Sequence, residues 1–371
     1  MSELYTHYYA NSRHDGFINA AANCTGKVAR EYILPAEPDK FIEARLILAS
    51  DNFLVVDAMT EIFCLDDKQN LLWRREKYYG SPIVISNGLI YFQSPARKDR
   101  MEAVDFQNRM IISDFVIFEI IDGSFLRLFE PTKEGLIANV QYTGMPEVSS
   151  DQFIVYRTDR ESLGYEWSKR YLNDYISFLP LVNFEAGFLV TSNSKDVLIF
   201  DIDSKAGDTE PKNTFPLPSS SEDIFVSSDK RGLIYFGYCG REKIVLKCFD
   251  SSGKEIYETT APEKFYGIDK VIAPPILAND YIYLLSAYNL VCFKNTKVEW
   301  QKAADGFTFS YATALSDNSI LVARENILSH FDSNGTLLFS INLDDKITAP
   351  PVVNEKGRVF ICTKSKIISI K

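Results

Sequence analysis

No two of the six cysteines, Cys24, Cys64, Cys239, Cys248, Cys292 and Cys362, take the CxxC spacing of a zinc or redox site, and none are adjacent. Histidine is rarer still. With only His7, His14 and His330, neither a Ser-His-Asp set nor HExxH can be assembled. Glycine-rich phosphate loops are absent. No run approaches the roughly 18 apolar residues of a membrane helix, and the opening MSELYTHYYANSRHDG has no apolar stretch of an export signal. Free thiols in a reducing compartment follow, so the cytoplasm is the expected location. Positive charge is short as well: 40 Lys and Arg against 50 Asp and Glu leave a net charge of −10, the wrong sign for binding a phosphate backbone. The densest basic run, ARKDR at 96–100, reads as a solvated loop. Neither a nucleic-acid partner nor a membrane span is expected.

What the chain does have is apolar material for a large core, 46% hydrophobic over 371 residues, and a pattern that recurs. CLDDKQNLLW at 64–73 returns as CFDSSGKEIY at 248–257, CFKNTKVEW at 292–300 and HFDSNGTLLF at 330–339. Aligning the acidic position gives Asp66, Asp105, Asp201, Asp250 and Asp332, with Lys294 and Thr158 as irregular members and Lys371 in register at the end. The strand that follows ends on Trp73, Ile112, Trp167, Phe215, Tyr257, Trp300 or Phe339, a position that takes all three tryptophans.

Two further strands precede each copy, as in SPIVISNGLIYFQS at 81–94 and APPILANDYIYLLS at 273–286. Alternating Val, Ile, Tyr and Phe around Asn, Asp and Gly is a hairpin signature. The unit is therefore four antiparallel strands, A to D, and the quoted pattern is strand C, a turn and strand D. One such sheet cannot cover both its faces. Radial stacking does, which predicts an all-β chain folded as a β-propeller of about 40–45 residues per blade. Seven blades fit 43–76, 80–117, 124–170, 175–217, 222–260, 269–303 and 307–343. Residues 346–371 supply only strands A to C. The lead-in 1–42 contains GKVAREYIL at 26–34, which carries the turn and alternation of a strand D and would complete an eighth blade, making 1–371 one domain.

The repeat is similar to the ALDxxTGKxxW stretch of the quinoprotein-alcohol-dehydrogenase-like superfamily, the propellers with PQQ-type repeats. YYANSRHDGFINAAANCTGK resembles the family's N-terminal lead-in, and KITAPPVVNEKGRVFICTKSKIISI its strand A to C pattern. The resemblance implies the fold and is nearly silent on activity, since members include quinone-dependent dehydrogenases, BamB-type assembly lipoproteins and binding propellers. The dehydrogenases are secreted, larger, and often carry a vicinal disulfide. Without adjacent cysteines or an export signal, the chain is not expected to hold PQQ, and without a lipobox cysteine it departs from the BamB type. A Ca²⁺ in the channel or at Asp344–Asp345 stays open, beside the reading of those carboxylates as solvated turn residues.

Within the repeat, Cys64, Cys248, Cys292 and His330 share one position, where the family pattern usually has alanine, and are expected to pack between blades. Asp66, Asp250 and Asp332 are expected to accept backbone N–H bonds in the C–D turn. Function is left to the face that carries the D–A and B–C loops. Its expected binding residues are Tyr78, Tyr79, Tyr142, Tyr175, Tyr238, Phe265, Tyr266, Tyr288, Phe307, Tyr311, Arg241 and Arg324. Aromatics with arginine are enriched at binding hot spots. One reading is a non-catalytic scaffold that binds a peptide, a protein or a small aromatic or apolar ligand. The other is an enzyme with a pocket at the channel mouth, using Tyr and Arg in a cyclisation, alkyl transfer or lyase-type step. A plainer use of the same aromatics is to cover the blade ends.

Overall fold

The computed structural model describes residues 16–34, 46–49, 53–86, 89–97, 99–105, 111–116, 124–131, 135–142, 150–159, 162–172, 181–193, 195–202, 210–218, 224–240, 242–262, 269–304 and 306–371. These hold strands and no helix. Among them the strands group into sheets that each follow the order A–B–C–D. The first sheet uses Leu46–Ala49, Phe53–Ala58, Glu61–Asp66 and Leu71–Glu76. The second to seventh sheets lie within 83–116, 124–172, 181–216, 225–262, 276–303 and 311–342. The eighth joins Val352–Val353, Val359–Cys362 and Lys366–Ile370 to Val28–Ile33, which lies beside Lys366–Ile370 as the outermost strand.

Burial follows position in the sheet. In the first sheet strands B and C are buried along nearly their whole length, whereas strand D alternates between exposed and half-buried. A strand B or C has a neighbouring sheet against both of its faces, so it needs apolar residues at successive positions instead of every second one. The apolar clusters accordingly bridge sheets. Phe188, Val190 and Phe215 of the fourth pack with Val226, Phe236 and Phe249 of the fifth, and Tyr283, Leu285 and Cys292 of the sixth pack with Ala314, Ile320 and Val322 of the seventh.

The recurring turn is braced as its sequence predicts. Asp66 Oδ1 accepts the N–H of Lys68 (2.9 Å) and Asn70 (2.7 Å), Asp250 those of Ser252 (2.9 Å) and Lys254 (3.1 Å), and Asp332 those of Asn334 (2.9 Å) and Thr336 (2.7 Å). Burial works to raise the Asp66 carboxyl, but the hydrogen bonds from Asn70 and Lys68 win and hold it below the ordinary range; the Ser252 hydroxyl leads the same effect at Asp250. Just after the turn, strand D bulges. The register shifts between Cys64 and Leu65, Cys248 and Phe249, Cys292 and Phe293, and His330 and Phe331, so that these four residues face Trp73, Tyr257, Trp300 and Phe339 directly. Three members of the alignment need correction. In the third sheet Trp167 faces Val155 and not Tyr156, so the position aligned with the acidic residue is Arg157 instead of Thr158. In the second sheet Ser113, not Ile112, faces Ala103, because Ile112 falls in the bulge. In the fourth, Asn213 faces Ile199 and Phe215 lies two residues further on, opposite Val197.

The aromatic ring on strand D of one sheet sits beneath the C–D turn of the next or, at Gly26, beneath the segment that leads into Val28–Ile33. Gly253, Gly335 and Gly26 have φ of 84°, 78° and 77°, and a Cβ on them would stand 2.6 Å from Phe215, 2.8 Å from Trp300 and 2.9 Å from Phe339. Trp300 Nε1 also donates to the Ser333 carbonyl in the neighbouring turn (2.9 Å). Glycine is required twice over, for the left-handed backbone and for the ring's approach. The lead-in adds an element absent from the sequence pattern. Phe17–Ile18 pairs in parallel with Ala314–Leu315 on the A side of the seventh sheet, and Ile18 is fully buried.

His330 is enclosed, its Nε2 2.8 Å from Ser319 Oγ, which in turn donates to Asp317 Oδ1 (2.6 Å). Desolvation lowers its pKa below the ordinary 6.5, outweighing Asp317 and Asp332. A histidine with a depressed folded pKa supports stability above its unfolded pKa, and that support is lost as pH falls through the folded value. Between about pH 7.5 and about pH 5.5 the melting temperature should therefore fall further for the native protein than for His330→Gln; equal falls would show that His330 is not the titrating group. Replacing Gly335 by Ala should cost about 2–4 kcal/mol in chemical unfolding, from backbone strain plus the collision with Trp300. Gly306→Ala is the control, because Gly306 has φ 81° but nothing within 4 Å of its Cβ position. It should lose only the strain component, about 1–2 kcal/mol.

Candidate interaction face

The loops that leave strand D are hooked to the B–C turn of their own sheet. The N–H of Lys77 bonds to the Thr60 carbonyl (2.8 Å), Leu217 to Lys195 (2.8 Å), Ala304 to Tyr288 (2.9 Å), Leu343 to Asn326 (2.8 Å) and Leu34 to Ser365 (2.8 Å). Among the described residues, three of these loops bond the B–C turn a second time, through Gly80 to Met59 (3.0 Å), Phe309 to Ala287 (2.8 Å) and Ile347 to Glu325 (2.8 Å). The D–A and B–C loops thus share one face, and the side chains between the two hooks stand out from it. Tyr79 is 67% exposed and Phe307 56%. They are the two most exposed aromatic rings among the described residues.

One part of the face gathers several of the expected residues. Tyr288, Phe307, Tyr311 and Arg324 flank the loop between the sixth and seventh sheets, whose Ser310 N–H also bonds to the Ala323 carbonyl (2.9 Å). Arg324 closes the strand Ile320–Arg324, half-buried, and its guanidinium makes no hydrogen bond or ion pair among the described residues. Tyr288 and Tyr311 are half-buried against the inter-sheet clusters, so they partly serve to cover the sheet ends. Tyr78 and Tyr79 occupy a different loop, between the first and second sheets. Beneath it the Lys77 side chain is wholly enclosed, with its ammonium 3.2 Å from Asp57 Oδ1 and donating to the Ser81 carbonyl.

Other expected positions fall elsewhere. Tyr238 lies within the strand Ile234–Gly240, 7% exposed in the core between the fourth and fifth sheets, so it is not a surface loop residue; burial raises its phenol's pKa. Tyr142 ends the strand Gly135–Tyr142. Tyr175, Arg241, Phe265 and Tyr266 lie outside the described residues. Sequence reading missed Asp269, whose carboxylate accepts the N–H of Tyr288 (3.0 Å) and Lys270 (3.0 Å), the Ser286 hydroxyl (2.6 Å) and the Asn289 amide (2.6 Å). It fixes the Tyr288 turn. The sequence signal was its repeat: DKVIAPP at 269–275 returns as DKITAPP at 345–351, where Asp345 likewise accepts the N–H of the following lysine (2.8 Å).

The reactive groups are absorbed by packing. Cys64, Cys248, Cys292 and Cys362 are buried, and desolvation pushes the Cys248 and Cys292 thiols up to about 12 and the Cys362 thiol well above its ordinary value. Such thiols are not nucleophiles at neutral pH. Among the described residues, no group of three His, Cys, Asp or Glu is spaced to hold a metal ion. Asp344 and Asp345 line a cavity of about 100 Å³ together with Glu31 and Lys366, whose ammonium stands 2.9 Å from Glu31 Oε2 and supplies positive charge there. Brief treatment of the native protein with maleimide should label Cys24 and Cys239 at most, and the other four only after unfolding. Rapid native labelling of Cys248 or Cys292 would contradict the packing role.

No protein-family model matches the sequence, and no curated protein is found related to it. Solved structures do match. A quinohemoprotein alcohol dehydrogenase from Pseudomonas putida HK5 is similar at 8% identity with TM-score 0.67, covering 100% of this chain and 80% of that one. BamB from Moraxella catarrhalis is similar at 11% and 0.57, covering 92% and 96%. The Dos1 propeller is similar at 9% and 0.62, covering 93% and 95%. The fold is a β-propeller. At these identities the likeness concerns the propeller alone, and an enzyme stands beside BamB among its neighbours, so the fold does not choose the function. No described helix is long and apolar enough to cross a membrane.

Proposed function

We propose that residues 1–371 form one eight-bladed propeller, its last blade completed by Val28–Ile33, that works in the cytoplasm as a protein-interaction scaffold. The partner binds the D–A and B–C loop face, with Tyr79 and Phe307 as apolar anchors and Arg324 as a charged one. The observation that carries this reading is the exposure of two large rings on loops that are hooked in place by backbone hydrogen bonds. Anchors held rigid lose little freedom on binding, which favours affinity. The burial of Cys64, Cys248, Cys292, Cys362 and His330 supports it too, because these side chains are committed to packing within the sheets. Proteins are better matched to such a face than a buried small molecule, since the exposed rings sit on separate loops and not in one deep pocket.

The combined variant Tyr79→Ala, Phe307→Ala, Arg324→Ala should keep the native melting temperature within a few degrees. It should reduce recovery of a specific partner from extract of the source cells by about tenfold or more, the loss of roughly 1.4 kcal/mol. Unchanged recovery would reject the face. A small molecule released from the native protein in stoichiometric amount, and lost in the same variant, would move the reading to an enzyme.

A further inference from the structure

Asp269 and Asp345 hold the same position in the repeat but are used differently. Asp269 serves its own sheet: besides the Lys270 N–H it accepts the Tyr288 N–H, the Ser286 hydroxyl and the Asn289 amide of the B–C turn. The matching turn of the eighth sheet closes in the same way, with the Thr363 N–H on the Lys366 carbonyl (2.9 Å) where Ser286 bonds to Asn289 (2.8 Å). Lys366 therefore stands where Asn289 stands. Its ammonium is drawn instead to Glu31 of Val28–Ile33 (2.9 Å), and the Thr363 hydroxyl turns to the Lys366 carbonyl (3.4 Å). Among the described residues Asp345 keeps one donor, the Lys346 N–H (2.8 Å).

Neither Asp344 nor Asp345 makes an ion pair among the described residues, because Lys366 is held by Glu31 and Lys346 by Glu325 (3.2 Å). Both line the cavity of about 100 Å³ between the seventh and eighth sheets, where three carboxylates meet one ammonium. The charge is therefore unbalanced by two negative units. The rest of the wall is partly apolar, with Val28, Leu343 and Ile368. Small-molecule sites run to about 300–1,000 Å³, so this cavity suits a single side chain. An aliphatic stem along apolar wall with its cation at a polar rim is how Lys and Arg are buried. Of the two, the guanidinium has five N–H donors in a planar fork and can serve neighbouring carboxylates together, whereas an ammonium is a compact point charge.

From this we infer that the cavity takes one arginine side chain of the protein partner, its stem against Val28, Leu343 and Ile368 and its guanidinium on Asp344 and Asp345. The inference rests on reading the D–A and B–C loop face as the one that binds the partner. The cavity belongs to that face, since Asp344 and Asp345 follow strand D of the seventh sheet and Thr363–Lys366 is a B–C turn. It is also continuous with Arg324: the Glu325–Lys346 pair ties the residue after Arg324 to the residue after Asp345. The face thus offers a cation at Arg324 and an excess of carboxylate beside it, so the partner presents its arginine next to the group that meets Arg324.

The test titrates the full chain, labelled with ¹⁵N, with the peptide acetyl-Gly-Arg-Gly-amide and follows backbone amide shifts. Saturable shifts at residues 343–346 and 363–366 are expected, half-complete at about 1–10 mM, as suits one side chain. The citrulline peptide, of the same shape but neutral, should bind about tenfold more weakly, and so should the arginine peptide to Asp344→Asn, Asp345→Asn. Equal binding of the citrulline peptide, or no saturable shift at these residues, would overturn the assignment, and neither result depends on the variant folding. The protein carrying Tyr79→Ala, Phe307→Ala and Arg324→Ala should still bind the arginine peptide here. A failed titration therefore rejects the cavity alone, and unchanged partner recovery by that triple variant rejects the face.

Discussion

The contact on which the rest depends is an aromatic ring lodged under a left-handed glycine of the neighbouring sheet. It ties Phe215 to Gly253, Trp300 to Gly335 and Phe339 to Gly26. Each junction buries a large apolar group and at the same time fixes the height of one sheet against the next. Because the ring and the turn belong to successive copies of the same repeat, a single pattern specifies both the sheet and its docking. The Asp of the turn completes the device by holding the tight backbone that brings the glycine over the ring.

That architecture explains why the chain's apparent chemistry is not where its reactive side chains are. Cys64, Cys248, Cys292 and His330 occupy the position opposite the docking aromatic or its equivalent, in the driest part of the repeat. Desolvation there favours the neutral thiol and the neutral imidazole. The most exposed aromatic rings, Tyr79 and Phe307, are instead on loops whose backbone is pinned to the B–C turns. A rigid base with exposed anchors is what a binding face requires.

Much of the sheet pattern was legible because strands C and D carry redundant signals. The Asp, the aromatic and the alternation recur in most copies, with a turn glycine at Gly253 and Gly335, so the hydrogen bonds of Asp66, Asp250 and Asp332 follow from the local sequence. Legibility failed where a residue acts across sequence. Ser113 and Asn213 stand where the alignment put Ile112 and Phe215, because a bulge, or its absence, changes the register without a mark in the sequence. Tyr238 looks like a loop aromatic and is core, since strand Ile234–Gly240 runs past it and such a strand meets a neighbouring sheet on both faces. Asp269 holds the Tyr288 turn through bonds to residues 17 to 20 positions away; its copy, Asp345, marks the position in the sequence but not those partners.

The sequence by itself determined the repeating unit, the all-β class and the use of its acidic turns, because these rest on local patterning and on backbone preferences of a few adjacent residues. Tertiary structure alone decided the parallel pairing of Phe17–Ile18, the hydrogen bonds from Gln69 to Ile367 and Ser369, and which tyrosines of the loop face are open. Those depend on what lies opposite after the first and last parts of the chain meet. Contacts between residues about 300 positions apart leave no periodic trace.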